Sequence, residues 1–169
     1  SELISSISSE YGVDSKLTEA VISAESSFNP GAIRTEPRGM TSYGLMQVTM
    51  PTAKALLGKA ISTAELLNPI TNIRLGVRYL KEGLDRYGNV ADALAHYNSG
   101  IARKNEQGEY INSRGSTNVN SYVNRVLSIY SGSSISFGFN NIGEEVKRII
   151  DIETLTSSPY IFYIGAGLL

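Results

Sequence analysis

The chain has 169 residues, 41% of them hydrophobic, enough for one domain with a real core and a short appendage. Its 15 Lys and Arg and 16 Asp and Glu are mixed along the sequence and leave a net charge of -1, so no basic stripe marks a nucleic-acid track and no nucleic-acid partner is expected. There is no cysteine, and His96 is the only histidine. Disulfides, thiolate chemistry and the usual zinc ligand sets drop out, any His-based triad would rest on that one residue, and carboxylates are the chemistry left.

Leu3, Ile4 and Ile7 fall at helical spacing and predict a first helix from Ser1 to about Tyr11, stopped by Gly12. No charged segment followed by an apolar run precedes it, so no signal peptide is expected in this stretch. Asp14 and Ser15 offer cap oxygens for a second helix, whose stripe runs Leu17, Val21, Ala24, Phe28 before Asn29-Pro30-Gly31 ends it. Gly31 to Gly44 is polar and irregular, with Pro37 and Gly39 inside, and reads as a loop leading into Gly44-Leu45-Met46-Gln47. Thr49 and Pro51 open a short helix to about Leu57, before Gly58.

Asn68-Pro69 starts the longest periodic stretch, Ile70, Ile73, Val77, Leu80, Leu84 and Tyr87, closed by Gly88; this is the expected central buried helix. Val90 to Tyr97 predicts a shorter one, broken by Asn98-Ser99-Gly100. A surface loop without period follows, and Val119, Val123, Val126, Leu127 and Tyr130 restore a helix. After it come linker chemistry (SGSSISFGFNN), an amphipathic turn pattern at Ile142, Val146, Ile149 and Ile150, and an apolar end from Ser158 to Leu169. That end is too short for a bilayer span of about 20 residues. It reads as a terminal element docked on the core, with membrane association through the tail as the alternative. The pattern is all-α, with many short helices and irregular joints, divided into a main domain over 1–131 and an extension over 132–169.

Glu25 stands out chemically. It lies beside the apolar stripe, four residues after Val21 and three before Phe28, near the helix C-terminus. Partial burial and the negative helix end both disfavour its ionised form, and a carboxyl kept protonated near neutral pH can serve as a general acid. A rim glutamate with a polar partner would share these features.

The run AVISAESSFNPGAI, then SYGLMQVTMPTAKAL, NPITNIRLGVRYLKEGLDRYG, ALAHYNSG and YVNRVLSIY resembles, in order and spacing, the lytic transglycosylases of the soluble (SLT) type over roughly Glu10 to Tyr130. The resemblance implies a lysozyme-like helical fold in which a glutamate ends one helix and faces a glycan cleft. It implies catalysis by Glu25 and substrate contacts from Ser26, Gln47, Tyr97, Asn98 and Tyr122. Two departures bear on the site. Thr41 and Ser42 stand where the family often has Gly-Ala, so Ser42 can offer a hydroxyl to the cleft, and Asn118 and Val119 replace a Glu-Thr pair ahead of Tyr122. His96, at a position usually small in the family, reads as a helix-face residue, and Glu36 as a solvated loop charge.

Glycosidases normally use two carboxylates, and only one is convincing here. The resemblance resolves the shortage by letting the substrate attack itself. Glu25 would protonate the oxygen linking N-acetylmuramic acid to N-acetylglucosamine and then take the proton of the C6 hydroxyl, leaving a 1,6-anhydromuramoyl end. Tethering the attacker replaces a bound water and a second acid, and no metal or organic cofactor is required. The partner so implied is peptidoglycan, met by a monomer at the cell envelope or on a virion. A goose-type lysozyme activity, with Glu36 or another loop acid helping water, and a silent wall-binding module are the rival readings.

Overall fold

A computed structural model describes residues 1–36 and 39–132. The linker, amphipathic segment and apolar tail expected beyond Gly132 lie outside the described residues. Within them the architecture is helical: α1 (Glu2–Glu10), α2 (Ser15–Ser26), α3 (Met50–Leu57), α4 (Thr63–Leu67), α5 (Pro69–Tyr87), α6 (Val90–Ser99) and α7 (Asn118–Tyr130).

The helix ends are set by local chemistry. Asp14 caps α2 by accepting from the Lys16 N–H at 2.9 Å. Thr49 caps α3 with Pro51 in its first turn, and Asn68 Oδ1 accepts from the N–H groups of Ile70 and Thr71 to open α5. Helix α2 stops short of its apolar stripe, because Ser27 (φ 52) and Phe28 (φ 62) both turn left-handed; Phe28 leaves the helix yet still packs on the core. Helix α4 was not expected from periodicity, since five residues are too few to show one. Its signal was a capping box, in which Ser62 accepts from the Glu65 N–H while Glu65 accepts from the Ser62 N–H.

Five short strands correct the loop expectations. Within the segment read as irregular, β1 (Ile33–Thr35) and β2 (Thr41–Tyr43) pair antiparallel, with Arg34 opposite Ser42, and β3 (Val48–Thr49) adds to β2. In the later loop, β4 (Arg103–Lys104) pairs with β5 (Tyr110–Ile111). Each strand has two or three residues, and β1 is exposed throughout, so no alternation of apolar and polar positions announces it.

The core lies around α5, which packs on α1, α3, α4 and α6, while α7 closes over α2, α6 and β5. Val21, Ile22, Ile73, Val77, Leu80, Leu94, Val123 and Val126 are fully buried. Each such side chain contributes roughly 1.5–3 kcal/mol by leaving water. This packing fixes the C-terminal end of α2 against α7 and brings the C-terminal half of α6 and the 44–47 turn beside it.

Candidate active site

The turn that enters β3 is built around a buried polar clasp. Gly44 is left-handed (φ 74), and a Cβ placed there would meet the Asn72 side chain at 2.5 Å. Asn72, on α5, has no solvent exposure. Its Oδ1 accepts from the Met46 N–H at 2.8 Å, and its Nδ2 donates to Tyr43 O at 2.7 Å and Leu66 O at 2.9 Å. One turn further on, Gly76 leaves room for Met46, whose Cβ would lie 2.6 Å from an added methyl. Gln47 is held left-handed (φ 48) by its own amide, which donates to Gly44 O at 2.9 Å and Ala32 O at 3.1 Å. Ser42 completes the set by donating to Gln47 Oε1 at 2.9 Å.

Glu25 sits opposite this turn at the end of α2 and is 8% exposed. Burial pushes its carboxyl above the ordinary range; the Tyr122 hydroxyl, then the Arg34 and Arg125 guanidinium groups, pull the other way. Burial wins because the nearer cation makes only a loose pair: Arg34 Nη1 stands 4.0 Å from Glu25 Oε2, on a side chain that is 54% exposed. Both arginines instead bond backbone carbonyls at the helix end. Arg34 Nη2 donates to Glu25 O at 3.0 Å and Arg125 Nη2 to Ala24 O at 3.3 Å. These carbonyls have no later turn to receive them, so the guanidinium groups act as caps.

Tyr97 and Tyr122 flank the carboxyl from α6 and α7. Tyr97 donates its hydroxyl to Met46 O at 2.7 Å and packs on Tyr79, ring centroids 5.4 Å apart. The Tyr122 hydroxyl is buried and has no hydrogen-bond partner among the described residues. It lies close enough to the Glu25 carboxyl to favour the ionised form. Burial first, then the charge of Glu25, raises both phenols well above their usual range, so both stay protonated.

The structure thus brings Glu25, Tyr97, Tyr122 and the 44–47 turn together. Ser26 links two of these parts, its hydroxyl lying 2.8 Å from Leu45 O and 3.2 Å from Ile22 O. The Gln47 amide, expected to reach into a cleft, has both N–H groups and its carbonyl engaged inside the turn, as has the Ser42 hydroxyl. Asn98 is exposed at the end of α6, next to Tyr97. Glu36 is exposed between β1 and β2. His96 is buried rather than merely on a helix face: it packs between Tyr79 and Tyr87 at 5.0 and 5.6 Å, with Nδ1 3.1 Å from Gly100 O. No group of three or more His, Asp or Glu able to hold a metal occurs among the described residues.

Sequence reasoning missed Asn72, Arg34 and Arg125. Asn72 left a trace, a polar residue four before Gly76 on the buried face of α5. Arg125 left a weaker one, three residues after Tyr122 on the same helical face. Arg34 left none, since its role depends on where β1 runs.

Fold and site define a lysozyme-like α-helical domain. The chain belongs to the Transglycosylase SLT domain family, whose profile matches residues 2–120. It is 38% identical over 104 residues to the transglycosylase of Enterobacteria phage PRD1, covering 62% of this chain and 36% of the phage protein. It is 39% identical over 92 residues to the membrane-bound lytic murein transglycosylase C of Histophilus somni (strain 2336), covering 50% of this chain and 24% of that protein. The chain therefore spans well under half the length of these two relatives. The X-ray structure of an inactive glutamate-to-glutamine mutant of the lytic transglycosylase Slt from Pseudomonas aeruginosa superposes with a TM-score of 0.57 at 25% identity, covering 76% of this chain and 23% of that one.

Proposed function

We propose that this protein is a peptidoglycan lytic transglycosylase in which Glu25 acts first as general acid and then as general base. The observation that carries this reading is a single buried carboxyl whose proton affinity burial raises, set at a helix end between two phenols and a braced turn. Protonated Glu25 donates to the oxygen linking N-acetylmuramic acid to N-acetylglucosamine, the bond from that oxygen to muramoyl C1 breaks, and the glucosaminyl hydroxyl departs. The sugar's own N-acetyl group and the site's dipoles steady the oxocarbenium-like centre. The muramoyl C6 oxygen then attacks C1 and passes its proton to the Glu25 carboxylate, which regenerates the acid and leaves a 1,6-anhydro end.

Tyr122, with an unpartnered hydroxyl, offers a hydrogen bond to the reacting sugar or to Glu25. Tyr97 shapes the wall while anchored to Met46. Ser26, Ser42 and Gln47 contribute by holding the turn, and exposed Asn98 contacts the glycan directly. The substrate class is supported by family membership, and by relatives named as a transglycosylase and a lytic murein transglycosylase. Action on the wall places the protein at the cell envelope or on a virion, where it works as a monomer. Among the described residues no helix is long and apolar enough to cross a membrane.

The test is the product formed from intact sacculi by wild type and Glu25→Gln. Mass spectrometry should find anhydro ends for the first and no soluble products for the second. Reducing ends would mean that water is the attacker, and undiminished lysis by Glu25→Gln would remove Glu25 from the chemistry.

A further inference from the structure

Arg34 is placed as no surface arginine needs to be. It lies on β1, opposite Ser42 on β2, and its Nη2 donates to the carbonyl of Glu25 itself at 3.0 Å. That bond fixes the guanidinium plane, so Nη1 faces Glu25 Oε2 across 4.0 Å. The gap is about 1 Å longer than a charge-assisted N–H···O bond. A neutral carboxyl gains little from closing it, whereas a carboxylate is drawn to it. We propose that Arg34 is a positioning residue for the reaction: tethered to the backbone of Glu25, it holds the carboxylate in place during the interval between proton donation and proton return. The inference rests on the reading of Glu25 as acid and base.

The other groups facing Glu25 do not perform this task. Arg125, from α7, is engaged with Ala24 O and lies over the Tyr122 ring, 5.7 Å from its centroid. Tyr122, also from α7, and Tyr97, from α6, are neutral. Arg34 alone among them has its second nitrogen directed at the carboxyl oxygen. An arginine suits the position because one planar fork can bond the carbonyl and face the carboxylate together.

The consequence is a signature in pH. Arg34→Ala removes a cation that favours the ionised form, so the proton affinity of Glu25 rises and the basic limb of the activity profile moves to higher pH. At the same time kcat falls, because the carboxylate intermediate is less well held; about fivefold is expected, the equivalent of ~1 kcal/mol for a half-exposed pair. KM changes less. Arg34→Lys keeps the charge and restores the limb toward wild type.

The experiment is murein digestion across pH for wild type, Arg34→Ala, Arg34→Lys and Glu25→Gln. It is paired with a carbon-detected NMR titration of the Glu25 carboxyl, assigned by its loss in Glu25→Gln. Upward movement of the Glu25 titration in Arg34→Ala, recovery in Arg34→Lys and the matching kinetic shift support the inference. An unchanged titration or kcat in Arg34→Ala overturns it, as does a lysine variant no different from alanine. An active Glu25→Gln would fail the catalytic reading separately, leaving the titration to report on the pair alone.

Discussion

Asn72→Ala probes whether the 44–47 turn is held by one side chain. Asn72 has no solvent exposure, so water cannot replace it. Its loss takes a hydrogen-bond partner from three backbone groups, Met46 N–H, Tyr43 O and Leu66 O. A buried group left unpaired costs about 1–3 kcal/mol, and carbonyls tolerate the loss better than an N–H because they keep a second lone pair. Taking the low end for each gives ~3 kcal/mol; alanine's better helix propensity returns only about 0.5 kcal/mol. At roughly 2–4 °C per kcal/mol for a domain of this size, the net ~2.5 kcal/mol lowers the melting temperature by about 5–10 °C. Urea unfolding should show a lower midpoint at unchanged slope.

Asn72→Asp sharpens the test, since it keeps the acceptor for Met46 but turns oxygen toward two carbonyls. Its buried carboxyl has a folded pKa raised above the unfolded value of about 3.9. The stability it retains is thus fully present below about pH 3.9 and is lost as pH rises through the folded pKa. Measured against wild type at each pH, the deficit should grow from acid to neutral solution. An alanine variant within about 1 kcal/mol of wild type, or an aspartate deficit independent of pH, refutes the clasp.

Glu25→Gln should abolish turnover by at least roughly a hundredfold, the usual worth of a general acid. It should also change stability with a definite sign: burial raises the folded pKa of Glu25, so the wild type loses stability as pH climbs from the unfolded value of about 4.3 through the folded one. The glutamine variant, unable to ionise, should gain in melting temperature relative to wild type over that same rise, and a gap constant with pH would contradict the raised pKa. Tyr122→Phe removes a buried hydroxyl that meets no hydrogen-bond partner in bonding geometry among the described residues, so unfolding free energy should stay within about 1 kcal/mol of wild type or increase, while kcat on murein drops about tenfold. A destabilisation above roughly 2 kcal/mol would reveal a hydrogen bond at that hydroxyl.

What could be read from the sequence was local. Asp14, Thr49, Asn68, Gly58 and Gly88 marked helix ends because capping is decided within a few residues. The α5 stripe was legible because its 19 residues contain several turns of apolar repeat. The strands were not, since β1 to β5 have only two or three residues each, too few for a period to register. In the site, the helix-end position of Glu25 could be argued from spacing, but its neighbours Tyr97 and Tyr122 were placed only through resemblance. The inward set of the Gln47 amide depends on Ala32 and Ser42, which come near it only when β1 and β2 pair. Arg34 and Arg125 reach α2 from elements 9 and 101 residues away in sequence, so only the folded chain discloses them.

On the proposed reading of Glu25 as acid and base, two demands on it conflict, and the fold meets them with different groups. To donate a proton the carboxyl must resist ionisation, which burial and the negative end of α2 provide. To take a proton back it must survive briefly as an anion in that same place. Cations bonded directly to the carboxylate would meet the second demand and defeat the first. Here the guanidinium groups are instead bound to the carbonyls of Ala24 and Glu25, which spreads their charge over the helix end and leaves Arg34 at 4.0 Å from the carboxyl oxygen. At that distance the cation is too weak to outweigh burial in the resting acid, yet it still attracts the anion as charge develops. On the proposed reading, a catalyst with one carboxyl depends on that difference, because the same group must give up the proton and take it back.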